Sequence, residues 1–207
     1  MTCGLMGGTF DPVHLGHVQI ATNALDELKL DRLLFLPDGD PPHKRPIASG
    51  VQRLEMLRLI CLEDSRFEVT DMELRRRGTT YTVDTLRKLK ELRPRDELIY
   101  LIGSDTLYLF PTWHTAQDVA KLCRMAVVLR PGDDLTGVIN MQQELLQNYG
   151  LYSCLLSKPG LPISSSMVRD ALQNGESIRK LVPALVADYI EEERLYQVAA
   201  KAAEIKD

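Results

Sequence analysis

At 207 residues the chain is long enough to bury a full core and short enough for a single domain. Its apolar content of 44% and charged content of 26% are ordinary globular values. The formal charge of −4 excludes a broadly basic nucleic-acid-binding face, so a small anionic ligand has to be met by local positive charge. No apolar stretch approaches membrane length, and the start lacks a basic segment followed by an apolar one. A cytoplasmic protein with no membrane and no nucleic-acid partner is expected. Cys61, Cys123 and Cys154 stand in apolar surroundings and read as buried free thiols, while Cys3 fits either burial or exposure.

In chain order, the apolar pair Leu5 and Met6 leads into Gly8-Thr9-Phe10-Asp11-Pro12-Val13-His14-Leu15-Gly16-His17. A helical pattern follows at Val18, Ala21, Leu25 and Leu28. The reading is strand, glycine turn, helix, with His14 and His17 where turn becomes helix. A helix start carries unpaired N–H groups and the positive end of the dipole, which suits a phosphate. Two imidazoles three positions apart share a helical face and can add donors to the same anion.

Leu33 to Leu36 is a short apolar run stopped by Pro37. The polar stretch from Asp38 to Gly50, with prolines at 41, 42 and 46, is the expected mobile loop and carries the basic run His43-Lys44-Arg45. Val51 to Leu62 has helical spacing, and Phe67-Glu68-Val69 reads as a short strand. Arg75-Arg76-Arg77 reads as a solvated cluster. Thr82 is placed as the cap of a helix running through Val83, Leu86, Leu89 and Leu92 to Pro94.

Leu98 to Ile102 is a continuous apolar run meeting Gly103, the mark of a buried parallel strand, and Met125 to Leu129 repeats it. Gly103-Ser104-Asp105 therefore ends a central strand, where ligands of such sheets bind. Trp113, the only tryptophan, stands in a polar-flanked segment after Pro111; core burial and a stacking platform both remain open. Ile139 to Tyr149 reads as helix, Tyr152 to Leu156 as a last strand, and the tail from about Ser164 as helical with a break at Gly175.

The alternation predicts an α/β, Rossmann-like, doubly wound parallel sheet with helices on both faces and a helical C-terminal segment, all in one domain over 1–207. Pro162-Ile163-Ser164-Ser165-Ser166-Met167-Val168-Arg169 forms a second helix start with no acid in its first turn and a guanidinium one turn on. Such a start fits a triphosphate, although serines also serve as plain caps. The glycine turn departs from G-x-G-x-x-G, and no G-x-x-x-x-G-K-[ST] occurs, which argues against a hydride-transfer dehydrogenase and a P-loop ATPase.

The segments GGTFDPVHLGH and ISSSMVR together resemble the HxGH nucleotidyltransferase superfamily. The intervening Pro41-Pro42-His43-Lys44, Thr80 to Leu86, Ile102 to Asp105, Pro111-Thr112-Trp113 and Arg130-Pro131-Gly132 resemble the bacterial nicotinate-nucleotide adenylyltransferase family. The resemblance implies transfer of AMP from ATP to nicotinate mononucleotide, giving deamido-NAD and pyrophosphate, with magnesium carried on ATP. It implies catalytic roles for His14, His17, Lys44 and Arg169. ATP contacts would come from Gly8, Thr9, Phe10, His14, His17, Gly103, Ile163, Ser164, Ser165 and Arg169. Mononucleotide contacts would come from Thr9, Lys44, Tyr81, Thr82, Asp105, Trp113 and Arg130. Pantetheine-phosphate adenylyltransferase shares the end motifs but lacks the middle ones. A catalytically silent nucleotide-binding regulator is the competing reading from another class.

Overall fold

The computed structural model describes residues 1–39, 46–76, 78–130 and 132–197. Six strands form one parallel sheet: β1 (Thr2–Gly8), β2 (Arg32–Pro37), β3 (Phe67–Val69), β4 (Glu97–Gly103), β5 (Arg124–Val128) and β6 (Ser153–Leu155). Their order is β3-β2-β1-β4-β5-β6. The direction of winding thus reverses between β1 and β4, and a crevice opens beyond the carboxyl ends of those two strands.

The unbroken apolar runs follow from burial on both sheet faces, because side chains alternate with period two. Leu33, Phe35, Ile99, Leu101, Ala126 and Val128 enter one core. Their neighbours Leu34, Leu36, Leu98, Ile102, Met125 and Val127 enter the other. The first core is covered by α1 (Leu15–Glu27), α2 (Gly50–Cys61), α7 (Ser165–Gln173) and α8 (Ala184–Glu192). The second lies under α3 (Thr82–Leu92), α5 (Ala116–Leu122) and α6 (Leu135–Tyr149). Leu15 N–H donates to the carbonyl of Leu181 at 2.9 Å, which ties the start of α1 to the C-terminal helical region.

Several local expectations need correction. Tyr81, not Thr82, occupies the cap of α3, and Thr82 is its first helical residue. In α2, Val51 is 74% exposed, whereas Arg53 is the largest fully buried side chain. The buried stripe is Arg53, Leu54, Met56, Leu57 and Ile60 at helical spacing. Between β4 and β5 the chain forms α4 (Ser104–Leu109), a 3₁₀ turn at Phe110–Thr112, and α5, none of which shows a sustained period in the sequence. Cys154 is exposed because β6 is the sheet edge, Cys61 is half-buried, and Cys3 and Cys123 are buried; all four are free. The expected mobile loop falls partly on residues 40–45, outside the described residues, and its far end is ordered by the Ser49 cap of α2.

Candidate active site

β1 ends in Gly7 and Gly8, which must both be small. A Cβ on Gly7 would stand 2.1 Å from the Tyr100 hydroxyl, and one on Gly8 would press the Phe10 ring at 3.2 Å. Phe10 then turns the chain with φ +50°, and a cis Asp11–Pro12 bond follows. His14 caps α1, whose first turn holds no acid. The two imidazoles stack with centroids 3.7 Å apart, and Phe10 meets His17 edge-on at 5.0 Å. His14 N–H donates to His17 Nδ1 at 3.3 Å. That bond puts the His17 ring proton on Nε2, where it is available to a ligand.

Burial holds His14 down to about 4, and burial together with the neighbouring His14 lowers His17 well below its usual value. Both rings are therefore neutral donors at neutral pH. His14 titrates lower in the folded state than unfolded, so its contribution is complete above about pH 6.5 and is lost as pH falls toward 4. A shift of this size corresponds to about 3 kcal/mol. Urea unfolding across pH 7.5 to 4.5 should show this loss, and His14→Gln should blunt it. An unchanged slope in that variant would contradict the assignment.

The opposite wall is the start of α7, which also lacks an acid in its first turn. Ser164 Oγ accepts from Met167 N–H at 3.2 Å, and Ser165 Oγ donates to the Pro12 carbonyl at 2.9 Å. Arg169 Nη1 donates to the Asp11 carbonyl at 2.6 Å, and Nη2 to Ser166 Oγ at 3.2 Å. The two distant segments are thus bonded to each other around one opening. From the third side, Gly103 closes β4, with Asp105 Oδ1 lying 2.4 Å from where a Cβ on that glycine would stand. Asp105 pairs with Arg130 at 3.0 Å, both well exposed.

Together these walls enclose a cleft of about 960 Å³ over the switch point. Its lining includes Gly8, Thr9, Phe10, His14 and His17 from the first turn. Gly103, Asp105 and Arg130 line it from the strand ends, and Ile163, Ser164, Ser165 and Arg169 from the second helix start. Tyr81, Thr82 and Trp113 do not line this cleft. Trp113 is half-buried, edge-on to Tyr100 at 6.1 Å and tilted against Phe110 at 5.5 Å. It borders a separate depression of about 370 Å³ with Pro111 and Tyr149. Tyr81 lies over His114 at 4.3 Å, so the segments carrying Tyr81 and Trp113 are neighbours. Lys44 falls outside the described residues.

Sequence reasoning passed over the framework behind the cleft. Arg53 Nη1 donates to the Thr9 carbonyl at 2.7 Å and Nη2 to the Asp38 carbonyl at 2.9 Å, clamping the ends of β1 and β2 together. The Asp11 carboxylate accepts from Ile47 N–H at 2.8 Å, Ala48 N–H at 3.0 Å and the Tyr196 hydroxyl at 2.8 Å. Arg53 had a sequence signal, a charge on the apolar stripe of a helix. The Asp11–Tyr196 contact spans 185 positions and had none.

A doubly wound sheet whose switch point is flanked by two acid-free helix starts, paired imidazoles and a guanidinium is suited to a nucleotide's phosphates. The cytidylyltransferase-like family model matches residues 5–171. The chain belongs to that family and, within it, to the nicotinate-nucleotide adenylyltransferases. A relative from Dehalococcoides mccartyi strain CBDB1, named a probable nicotinate-nucleotide adenylyltransferase, is 40% identical over 93% of this chain and 96% of its own length. One of the same name from Synechococcus sp. strain JA-3-3Ab is 39% identical over 93% of each. Among solved structures, the fold matches Plasmodium falciparum nicotinic acid mononucleotide adenylyltransferase complexed with NaAD. The TM-score is 0.76 at 20% identity, covering 94% of this chain and 97% of that one. The same protein complexed with APC gives 0.72, also at 20% identity, over 94% and 96%.

Proposed function

We propose that this chain transfers the adenylyl group of ATP to nicotinate mononucleotide, forming deamido-NAD and pyrophosphate in NAD biosynthesis. The observation that carries this reading is the convergence of His14, His17 and Arg169, from opposite ends of the sequence, on one cleft at the switch point. The phosphate of the mononucleotide attacks the α-phosphorus of ATP in line. A new P–O bond forms as the bond to the β-phosphate oxygen breaks, and pyrophosphate leaves. The substrate supplies its own nucleophile, so the protein positions reactants and stabilises charge.

In this reading the Nε2–H of His17 and the ring of His14 donate to the ATP phosphates, and Arg169 holds the departing pyrophosphate. Gly8, Thr9 and Phe10 line the reacting phosphates. Gly103, Ile163, Ser164 and the backbone N–H of Ser165 receive the rest of ATP. The hydroxyl of Ser165 is engaged by Pro12, which supports a backbone role for that residue. On the mononucleotide side, Thr9 lies at the junction, Asp105 holds ribose with Arg130 beside it, and the N–H groups around Tyr81 and Thr82 donate to the nicotinate carboxylate. Trp113 stacks on the pyridine ring, and Lys44 closes on the reacting phosphates from its loop. Among the described residues no three His, Cys, Asp or Glu side chains converge as a metal cage requires. Magnesium, in this reading, arrives on ATP oxygens and water, as part of the substrate.

No helix of the described residues is long and apolar enough to cross a membrane. We place the enzyme in the cytoplasm, acting on free nucleotides.

Pyrophosphate release from ATP tests the reaction, with nicotinate mononucleotide, nicotinamide mononucleotide and pantetheine phosphate offered in parallel. Turnover is expected with nicotinate mononucleotide far above the amide, because donors placed for a carboxylate are mispaired by an amide. ATP binding without pyrophosphate would favour a silent regulator. Trp113→Ala separates stacking from packing. The Michaelis constant for the mononucleotide should rise well above that for ATP, and an equal rise in both would leave the indole a core residue.

A further inference from the structure

Behind the first turn of α3 lies a buried polar cluster with no part in the reaction as written above. Glu73, in the turn ahead of that helix, is 7% exposed. Its Oε1 accepts a 2.7 Å hydrogen bond from Oγ1 of Thr85, which is itself fully buried. Arg76 Nη1 donates to the same Thr85 oxygen at 3.4 Å. The charge of Asp38, just past β2, acts on Glu73, and the charge of Glu73 acts in turn on Tyr100 of β4. The Glu73 backbone also lies hard against the segment after β2, since a Cβ on Gly39 would come within 2.2 Å of the Glu73 carbonyl. Its carboxyl is thus held against α3 one turn inside the helix start.

We propose that Glu73 is a specificity-determining positioning residue: it anchors the first turn of α3 through Thr85, and its charge governs how well that helix start receives an anionic substrate group. The inference rests on the reading that the N–H groups around Tyr81 and Thr82 donate to the nicotinate carboxylate. A helix start attracts an anion through unpaired N–H groups. A negative charge fixed close behind, away from water, opposes that attraction. Protonation removes the opposing charge and leaves the carbonyl oxygen of Glu73 to accept from Thr85.

Burial, with the neighbouring Asp38, pushes the Glu73 carboxyl up to about 7, while the Thr85 bond and Arg76 pull the other way. Glu73 therefore ionises across the neutral range. Below it, the α3 start faces an acidic ligand unopposed. Above it, the preference for an acid over a neutral amide weakens.

Glu73→Gln keeps an acceptor for Thr85 and carries no charge at any pH. Michaelis constants for nicotinate mononucleotide and ATP should be measured from pH 6 to 8.5 in both proteins. Titration of the ligand phosphate and of the histidines is common to the two and cancels in the comparison. The wild-type constant for nicotinate mononucleotide is expected to rise about threefold to tenfold relative to the variant, with the divergence centred near neutrality. The change should fall on that substrate and not on ATP. Superimposable profiles would overturn the proposal. Should the variant fail to fold, the wild-type preference for nicotinate over nicotinamide mononucleotide decides. A ratio falling with pH supports Glu73, and a flat ratio overturns it. Failure of both mononucleotides to release pyrophosphate would overturn the proposed function itself, an outcome distinct from the other two.

Discussion

His17→Ala should lower kcat by about 10³-fold, the effect of removing one donor aimed at transition-state charge. The Michaelis constants should change far less. The reason lies in the hydrogen bond from His14 N–H, which fixes the ring and leaves Nε2–H for a ligand. The imidazole is half-buried and touches the Phe10 edge, so its loss should move the melting temperature by a few degrees at most. Thermal unfolding of the same preparation separates the two effects. Turnover within tenfold of wild type would remove this histidine from the chemistry.

Arg53→Met should be strongly destabilising, costing about 4 kcal/mol, because it strips the donors from two carbonyls at the strand ends. Methionine fills the space but offers no N–H group. Arg53→Lys can serve one carbonyl and should fall between. Urea unfolding measures the cost, and activity should fall in parallel because the Thr9 carbonyl belongs to the turn that lines the cleft. A loss below about 1 kcal/mol with full activity would show that the clamp is dispensable.

The legible parts of the sequence were those with a local physical signature. Leu98 to Ile102 and Met125 to Leu129 announced central strands because both faces of the sheet are covered, so nothing polar interrupts the runs. His14, His17 and Arg169 were legible because glycines and serines at helix starts leave N–H groups unpaired. The region from Ser104 to Leu122 was not, since α4, the 3₁₀ turn and α5 are each too short to set up a helical period. Trp113 illustrates the limit. Its neighbours in sequence suggested a loop, whereas Tyr100 and Phe110, brought in by the fold, give the indole a partly buried seat.

The framework was the least legible of all. Asp11 looked like one more polar residue of a glycine turn, yet it joins the start of α2 to Tyr196 near the other end of the chain. Glu73 and Thr85 sit twelve positions apart, Thr85 within the expected helix and Glu73 in a stretch with no signal of its own. Such contacts depend on tertiary packing, and residue type alone carries no trace of them.

ATP labelled at its α-phosphorus, incubated with nicotinate mononucleotide and the purified protein, follows the bond in question directly. The label should appear wholly in the dinucleotide, with one unlabelled pyrophosphate released per dinucleotide formed. Label recovered in free AMP or ADP, with no dinucleotide, would mean that the cleft between the two helix starts does not carry out adenylyl transfer.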